Sequence, residues 1–456
     1  MKQELRLERV REYLKKNSLS GIIIPSNDPH FGEYIQDCYK IISWLSGFTG
    51  EAGTLAVTLD AAALWTDSRF FIQAERQLEG TGIVLKKLKT PDCETVEEWL
   101  KTRLPAGMGV CVDSDLYSLL SFRQLKKNLQ PLELLPVTDP FKEIWSDRGE
   151  ARAGKVRILG SDITGEDTLS KHSRIVNTLA QPTDFLYLLS SCDDIAWLCN
   201  IRGSDVDYNP VVLSYAAISK ESVFLFAKRD SIPEDLVKTL CKNGVITKDY
   251  YSFESFISDY STDIPRIAPA DRLTLSKYMA ATSKGAEFIP DSNRGGVIPM
   301  LKAVKNKKEI EGFRRAMLLD GVAWVKMWKW LDERLSQNRE LPSEGDVSDK
   351  LSVMRAESQD YLGESFAPIS AYGSNAAMPH YERDPENPVK LRRKSFLLVD
   401  TGAQYTFGTT DTTRTIALGE LTQEERLDYT LVLRGMINLS RARFPEGTRG
   451  AQVDFL

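Results

Sequence analysis

Asp400 and Asp411 are the residues of this sequence whose type and spacing best suit metal chemistry. Both lie in a stretch that predicts a β-hairpin, since an apolar run ends at Asp400 and a Thr-rich run returns after a turn near Phe407 and Gly408. A loop centred near Tyr405 would place the two aspartates directly opposite each other, with Cβ atoms roughly 4.5–5.5 Å apart. A loop centred nearer Phe407 would make them diagonal neighbours. In either case one face of the hairpin carries two acids.

Two carboxylates on one face repel each other unless positive charge lies between them. Two divalent cations about 3.5–4 Å apart would provide that charge. The alternative is that both acids are ordinary turn and strand-edge residues, because Asp-Thr-Gly and Thr-Asp-Thr are common in exposed hairpins. The spacing alone leaves both interpretations open.

The residues of the hairpin and of several other segments resemble one enzyme family. Residues 400–415 match the pattern D-[ST]-G-A-Q-Y-x-x-G-T-T-D-x-T-R-T, which is similar to the pita-bread metallopeptidases and, within them, to the aminopeptidase P family. Further similar segments follow in the family's order: FTGEAGT at 48–54, WTDSRFF at 65–71, DDIAWLCNIRGSDVDYNPV at 193–211, KAVKNKKEIEGFRRA at 302–316 and PHY at 379–381. The resemblance spans nearly the whole chain and is to the long, three-domain cytosolic type.

The resemblance implies a metal-dependent aminopeptidase that releases the N-terminal residue from peptides with proline in the second position. It implies that Asp400 and Asp411 contribute to a site for two divalent ions, usually manganese. It also implies that His380 lies beside the metals as a catalytic and substrate-binding residue, and that Arg69 binds the peptide from the first domain. Related enzymes of this type are commonly dimers, so a homodimer is expected.

The fold class expected is α/β (α+β), with two tandem creatinase N-terminal-like domains at 1–147 and 148–300. The first half of a pita-bread domain is expected at 301–456. An internal repeat supports the tandem copies: an apolar strand at 21–25 corresponds to one at 185–189, and Trp44-Leu45 corresponds to Trp197-Leu198.

Helical spacing of apolar residues predicts one helix across 310–335 and another after Thr422, where Thr422 and Glu425 form a capping box. Trp324, Trp328 and Trp330 on the first of these helices are expected to pack in a core rather than to stack on a ligand. The segment 203–205 is expected to be a turn and not a phosphate-binding loop, because no glycine-rich phosphate motif accompanies it.

Composition limits the functional class and the compartment. The net charge of −5 argues against a nucleic-acid surface. The charged N-terminus has no apolar core that could serve as a signal peptide, and no run of 18 apolar residues offers a membrane span. The six cysteines form no C-x-x-C pair, which favours reduced, buried thiols. A cytoplasmic location follows as the default.

Part of the family pattern is not found in this sequence. The family's other metal ligands, one histidine and two glutamates, belong to the second half of the catalytic domain, which is expected to be absent after Leu456. The expectation is therefore a truncated, inactive form with exposed hydrophobic surface and a tendency to associate.

Three alternatives are considered, of which one is a binding module and two are other enzymes. A non-catalytic peptide-binding module shares the fold, but such proteins typically lose the metal acids. A prolidase would lack the tandem preceding domains, and a creatinase-like hydrolase would need no metal.

Overall fold

The computed structural model describes residues 3–293, 295–337 and 340–456. Contacts divide the chain into two units. The first unit contains the residues up to Ala316 together with Gln404–Thr409. The second contains Met317–Ala403 and Thr410–Leu456.

Two six-stranded sheets build the first unit from short runs of β-branched and small apolar residues, which favour strands buried on both faces. The strands of the first sheet are β1 (Gly21–Pro25), β2 (Thr54–Thr58), β3 (Ala62–Thr66), β4 (Val84–Lys87), β5 (Gly109–Asp113) and β6 (Glu133–Val137). Their order is β4-β3-β2-β1-β5-β6. The helices are α1 (Gln3–Lys16), α2 (Ile41–Ser46), α3 (Phe71–Gln77), α4 (Val96–Arg103), α5 (Leu119–Leu129) and α6 (Phe141–Ile144).

The second sheet follows the same plan. The next strands are β7 (Arg157–Ile158), β8 (Leu186–Leu189), β9 (Ile201–Arg202), β10 (Ser214–Ile218), β11 (Val223–Ala227), β12 (Val245–Asp249), β13 (Arg266–Ala268) and β14 (Phe288–Pro290). The six-stranded order is β12-β11-β10-β8-β13-β14, and β7 pairs with β9 in a separate ribbon. The helices are α7 (Ser161–Thr164), α8 (Thr168–Leu179), α9 (Cys192–Cys199), α10 (Glu234–Lys242), α11 (Phe253–Asp259), α12 (Leu275–Thr282) and α13 (Val297–Ala303).

The predicted internal repeat is confirmed by this topology. In each sheet the first long strand, β1 or β8, pairs antiparallel with the second and parallel with the fifth. In each sheet the third strand also pairs parallel with the fourth. The corresponding Trp44 and Trp197 lie on the equivalent helices α2 and α9.

The remaining elements belong to the segment that carries the aspartates. The helices are α14 (Lys307–Ser336), α15 (Glu344–Arg355) and α16 (Gln423–Arg441), and the strands are β15 (Tyr361–Glu364), β16 (Ile369–Tyr372), β17 (Phe396–Thr401), β18 (Ala403–Tyr405), β19 (Gly408–Thr409) and β20 (Thr412–Ala417). In the second unit, β17 is the middle strand of the sheet β16-β17-β20. Trp324, Met327 and Leu331 of α14 belong to the same apolar core as Leu397 and Val399 of β17.

The predicted helices are present, and parts of their apolar faces are exposed. Trp324 is buried and Trp328 and Trp330 pack against the same core, as predicted. Ile310 and Met317, predicted on the buried stripe of α14, are exposed. The capping box at Thr422 is confirmed, and none of the 19 residues of α16 is buried.

The structure also corrects the prediction about the thiols. All six cysteines are free, as expected, but Cys241 is exposed and Cys93 is half-buried. Of the helices in the described part of the chain, none is both long enough and apolar enough to cross a membrane.

Candidate metal centre

The hairpin that carries both aspartates turns between residues 406 and 407. This is beyond Tyr405, the centre that would have placed the two aspartates directly opposite each other. β17 pairs antiparallel with β20 so that Asp400 faces Thr413, and the same register continues through β18 and β19 at the tip. Asp411 therefore lies opposite Gly402, as a diagonal neighbour of Asp400 on the same face. The diagonal arrangement is confirmed, and the directly opposite arrangement is wrong because the turn is centred between residues 406 and 407.

Strand alternation separates the chemistry from the core. Along β17, Leu397, Val399 and Thr401 are buried, while Leu398 and Asp400 between them are half-buried. Because successive side chains of a strand point to opposite faces, one face of β17 packs into the core and the other presents the carboxylate.

The carboxyl group of Asp400 lies in an environment suited to a cation. Its Oδ1 atom is buried and has no hydrogen-bond partner among the described residues. The pKa of Asp400 is raised overall, and burial is the largest cause. The side-chain hydrogen bond to Thr413 and the charge of His380 lower this pKa, whereas the charge of Asp411 raises it. Since an unbonded buried carboxylate oxygen is costly, this atom fits a metal ligand better than a strand-edge residue.

The two aspartates would provide only part of a metal site. No cluster of three or more His, Cys, Asp or Glu side chains with the arrangement of a metal site occurs within residues 3–293, 295–337 and 340–456. Divalent ions take four or more ligands. The carboxylates of Asp400 and Asp411 are of a type that would suit divalent ions, and other donors would have to complete the set.

His380 lies in a loop that Glu344 anchors. Glu344, at the start of α15, is buried, and its carboxylate accepts hydrogen bonds from the side chains of Asn375, at 3.0 Å, and Tyr381, at 2.8 Å. It also accepts the backbone N–H of Tyr372. Both ends of the loop are therefore held by one carboxylate, which fixes the position of the half-buried His380.

Arg355 supports the hairpin from the core side. Its side chain is fully buried, and its guanidinium donates to Asp320 at 2.7 Å, to Thr401 Oγ1 at 2.8 Å and to the carbonyl of Gly402 at 3.1 Å. Glu364 forms a second ion pair with the same guanidinium. Thr401 and Gly402, the two residues that follow the site-facing Asp400, are therefore tied to a buried charge network.

Arg69 is held by a local ion pair. Its Nε and Nη2 atoms donate to the two carboxylate oxygens of Asp67, both at 2.8 Å. These bonds raise the pKa of the Arg69 guanidinium. Arg69 belongs to the first unit and the other candidates to the second, so its part in the site stays a prediction.

Glu344 and Arg355 were missed by the sequence reasoning. Glu344 lies in the first turn of α15 and Arg355 in its last turn, where acidic and basic residues are common because they complement the helix dipole. This common placement at the helix ends was the only feature of the sequence that pointed to them. Their burial depends on strands that follow later in the chain.

Comparison with known proteins places this arrangement in a family. A probable Xaa-Pro aminopeptidase P from Colletotrichum graminicola is 34% identical over 464 residues, which cover 99% of this chain and 75% of the relative. The chain belongs to the Xaa-Pro aminopeptidase P family. A second member of this family, from Botryotinia fuckeliana, is 35% identical over 99% of this chain and 70% of the relative.

Domain families and a solved structure agree with this membership. The creatinase/prolidase N-terminal domain matches residues 6–144 and again, as a second form, residues 147–309, and metallopeptidase family M24 matches residues 311–456. The crystal structure of the X-prolyl aminopeptidase from Caenorhabditis elegans, described as a cytosolic enzyme with a di-nuclear active site, is similar with a TM-score of 0.91. It is 30% identical, and the match covers 99% of this chain and 76% of that one. The predicted fold class is confirmed for this member of the aminopeptidase P family.

Proposed function

We propose that this protein is a metal-dependent aminopeptidase that releases the N-terminal residue from peptides with proline in the second position. The observation that carries the proposal is the buried, unbonded Oδ1 of Asp400 on the hairpin face that also carries Asp411. Membership of the aminopeptidase P family supports the substrate class. The retained pair of metal acids favours this function over a peptide-binding module of the same fold.

Each candidate residue has a role in the proposed reaction. Asp400 and Asp411 would hold two divalent ions, which supply an activated water and polarise the scissile carbonyl when bound. His380, in the loop anchored by Glu344, would donate a hydrogen bond at the scissile region and so orient the peptide. Arg69 would bind oxygen atoms of the peptide with its planar guanidinium.

Four finer features belong to the same proposal. We propose manganese as the metal, a cytoplasmic location and a homodimer. The domain limits 1–147, 148–300 and 301–456 are also proposed. The solved relative supports the cytosolic location and a dinuclear site, since its description names both. The chain spans 75% of its Colletotrichum relative, and the metal identity is proposed from the family resemblance.

Hydrolysis of a fluorogenic Xaa-Pro peptide in the presence of Mn²⁺ tests the proposal. The assay compares the 456-residue chain with a polypeptide extended beyond Leu456, each before and after treatment with a chelator. Because the described residues offer only a partial donor set, hydrolysis is expected in the extended polypeptide, and it should stop when the metal is removed. His380→Ala in that polypeptide should lower kcat by about 100-fold or more. Peptide binding without metal-dependent hydrolysis would instead support the non-catalytic module.

A further inference from the structure

A cavity of about 270 Å³ in the first unit is lined by more positive than negative side chains. Its walls are β7 and β9, the end of α9, the first turns of α14 and the segment 404–409. The charged side chains along these walls are Arg157, Lys171, Arg202, Lys302 and Lys305, with Asp193 and Glu309. The proposed aminopeptidase reaction uses none of these residues.

Two arginines of the cavity face each other directly. Arg157 on β7 and Arg202 on β9 are paired positions of one antiparallel ribbon, where like charges directly opposite each other are destabilising. Burial and, after it, the charge of Arg157 lower the pKa of Arg202 to about 10. Burial also lowers the pKa of Arg157. The ribbon therefore concentrates positive charge at a partly dehydrated position.

Lys171 adds a third cation to the same wall. Its side chain is 1% exposed, and its Nζ donates to the carbonyl of Trp197 at 2.8 Å and to Oδ1 of Asn200 at 2.6 Å. Both acceptors are neutral, and burial lowers the pKa of the Lys171 ammonium to about 8. Buried charges in proteins are normally paired with an opposite charge.

The acids near the cavity act on two of these cations without contacting them: the charge of Glu309 raises the pKa of Lys171 and of Arg202, and the charge of Glu166 raises the pKa of Lys171. Lys302 forms ion pairs with Asp193 and Asp194, so Asp193 is already matched. Glu309 accepts the backbone N–H of Asn306 at 2.8 Å. Within the described part of the chain, Arg157, Lys171 and Arg202 have no carboxylate within 4.0 Å.

A purely structural role explains Lys171 and Arg202 better than Arg157, because both donate to backbone carbonyls in the last turn of α9. Arg202 donates to the carbonyls of Ala196 at 3.0 Å and Ile201 at 2.8 Å, at the C-terminal end of α9, where a cation is stabilised by the helix dipole. The backbone of Arg157 pairs with that of Arg202, but the Arg157 side chain makes no hydrogen bond or ion pair with any described residue. A guanidinium that repels its cross-strand neighbour and bonds nothing indicates a missing partner of negative charge.

We propose that this cavity binds a phosphate group between Arg157, Arg202 and Lys171. A phosphate carries up to two negative charges and several acceptor oxygens, and guanidinium groups bind it through paired N–H donors. Lys305, which precedes α14, adds a further positive side chain to the wall. The cavity is smaller than the roughly 300–1,000 Å³ of pockets for drug-sized ligands, which suits a compact group.

Thermal unfolding and calorimetric titration of the 456-residue chain with inorganic phosphate test the proposal, with sodium chloride at equal ionic strength as the reference. Wild type should show saturable binding and a rise in Tm that chloride does not produce, because screening alone does not saturate at one site. Arg157→Gln should weaken phosphate binding about tenfold or more, since one charged hydrogen-bonding partner is lost. Without phosphate, Arg157→Gln should unfold at the same or a higher temperature, because the repulsion with Arg202 is relieved.

Arg229→Gln is the matched control, because Arg229 is an exposed arginine of the same domain outside the cavity. It should leave phosphate affinity unchanged. If Arg157→Gln does not fold, Lys305→Gln replaces it as the test variant. Lys305 is exposed, so this substitution should leave the fold intact and still weaken phosphate binding measurably. Equal responses to phosphate and chloride, or unchanged phosphate affinity in the cavity variants, would overturn the proposal.

A second titration separates the two sources of the phosphate group. Glycerol 3-phosphate binding more tightly than inorganic phosphate would identify the phosphate of a small organic molecule as the ligand. Binding of inorganic phosphate alone would identify the free ion. Both results depend on the same three cations, and Arg157→Gln must weaken whichever ligand binds.

Discussion

Asp113 shows what burial does to a single carboxyl group in this protein. Its side chain is buried at the end of β5, and its Oδ1 accepts the backbone N–H groups of Asp115, at 2.9 Å, and Asp139, at 3.3 Å. Burial, followed by the charge of Asp115, raises the pKa of Asp113 from 3.8 to about 7. The folded protein therefore holds a proton at mildly acidic pH that the unfolded chain releases.

Stability should consequently fall as pH rises between these two values. Between pH 3.8 and about 7 the folded state binds more protons at Asp113 than the unfolded state does, so the free energy of unfolding decreases. Asp113→Asn should remove this contribution. From the low to the high end of this pH range, the free energy of unfolding of the variant should rise relative to that of wild type by up to about 4 kcal/mol. Urea unfolding at several pH values measures the difference, with the exposed Asp92→Asn as the control. A constant difference across the window would contradict the account.

Arg355 is the residue whose loss should damage the second unit most. Its buried guanidinium neutralises Asp320 and Glu364 at once. Removing one member of a buried ion-pair network leaves an uncompensated charge, at a cost of about 3–5 kcal/mol. Arg355→Met should therefore weaken amide hydrogen-exchange protection of α15 and β17 by that amount. The exposed Arg434→Gln should leave protection unchanged, and a similar loss in both variants would count against the network.

At the scale of elements, Gly402 sets how closely the two arms of the hairpin approach. A Cβ atom at this position would overlap the carbonyl oxygen of Thr410 and Oγ of Ser365. Gly402 lies between the arms that carry Asp400 and Asp411, so any side chain there would displace one arm.

Gly402→Ala should therefore lower both stability and metal affinity. We expect a loss of about 1–3 kcal/mol in unfolding free energy from overpacking and a weaker Mn²⁺ titration than wild type. Gly321→Ala is the control, because no atom lies within 4 Å of its added Cβ in the interior of α14. That substitution should stabilise by about 0.5–1 kcal/mol. Normal metal binding by Gly402→Ala would contradict the proposed role of the close approach.

Helices and caps whose sequence pattern lies within a few neighbouring residues were predicted correctly. Features that depend on contacts between distant segments of the chain were not. Thr422 caps α16 as predicted, because a capping box needs only residues within one turn. The choice between opposite and diagonal aspartates could not be made, since it depends on a turn whose centre differs by one or two residues. The anchoring by Glu344 and Arg355 was also out of reach, because it joins segments far apart in the chain.

At the scale of the whole molecule, exposed apolar surface is concentrated on α16. Val432 is 73% exposed and Leu427 is 58% exposed, and no residue of the helix is buried. Exposed apolar patches of this kind promote association.

Replacing Val432 and Met436 by Glu should therefore reduce self-association of the 456-residue chain. Sedimentation velocity over a range of protein concentrations measures this, and the double variant should sediment more slowly than wild type at high concentration. Leu120→Glu on α5, also an exposed apolar position on a helix, should not change the distribution. Identical distributions for all three proteins would show that α16 does not drive association.

The most direct test of the central claim is titration of this chain with Mn²⁺, followed by electron paramagnetic resonance of the free ion. We expect weak but saturable binding by wild type, because Asp400 presents a buried, unbonded oxygen beside Asp411. Asp400→Asn should abolish this binding, while Asp332→Asn, at an exposed position of α14, should leave it intact. Equal Mn²⁺ binding by wild type and Asp400→Asn would contradict the claim that this hairpin face is a metal centre.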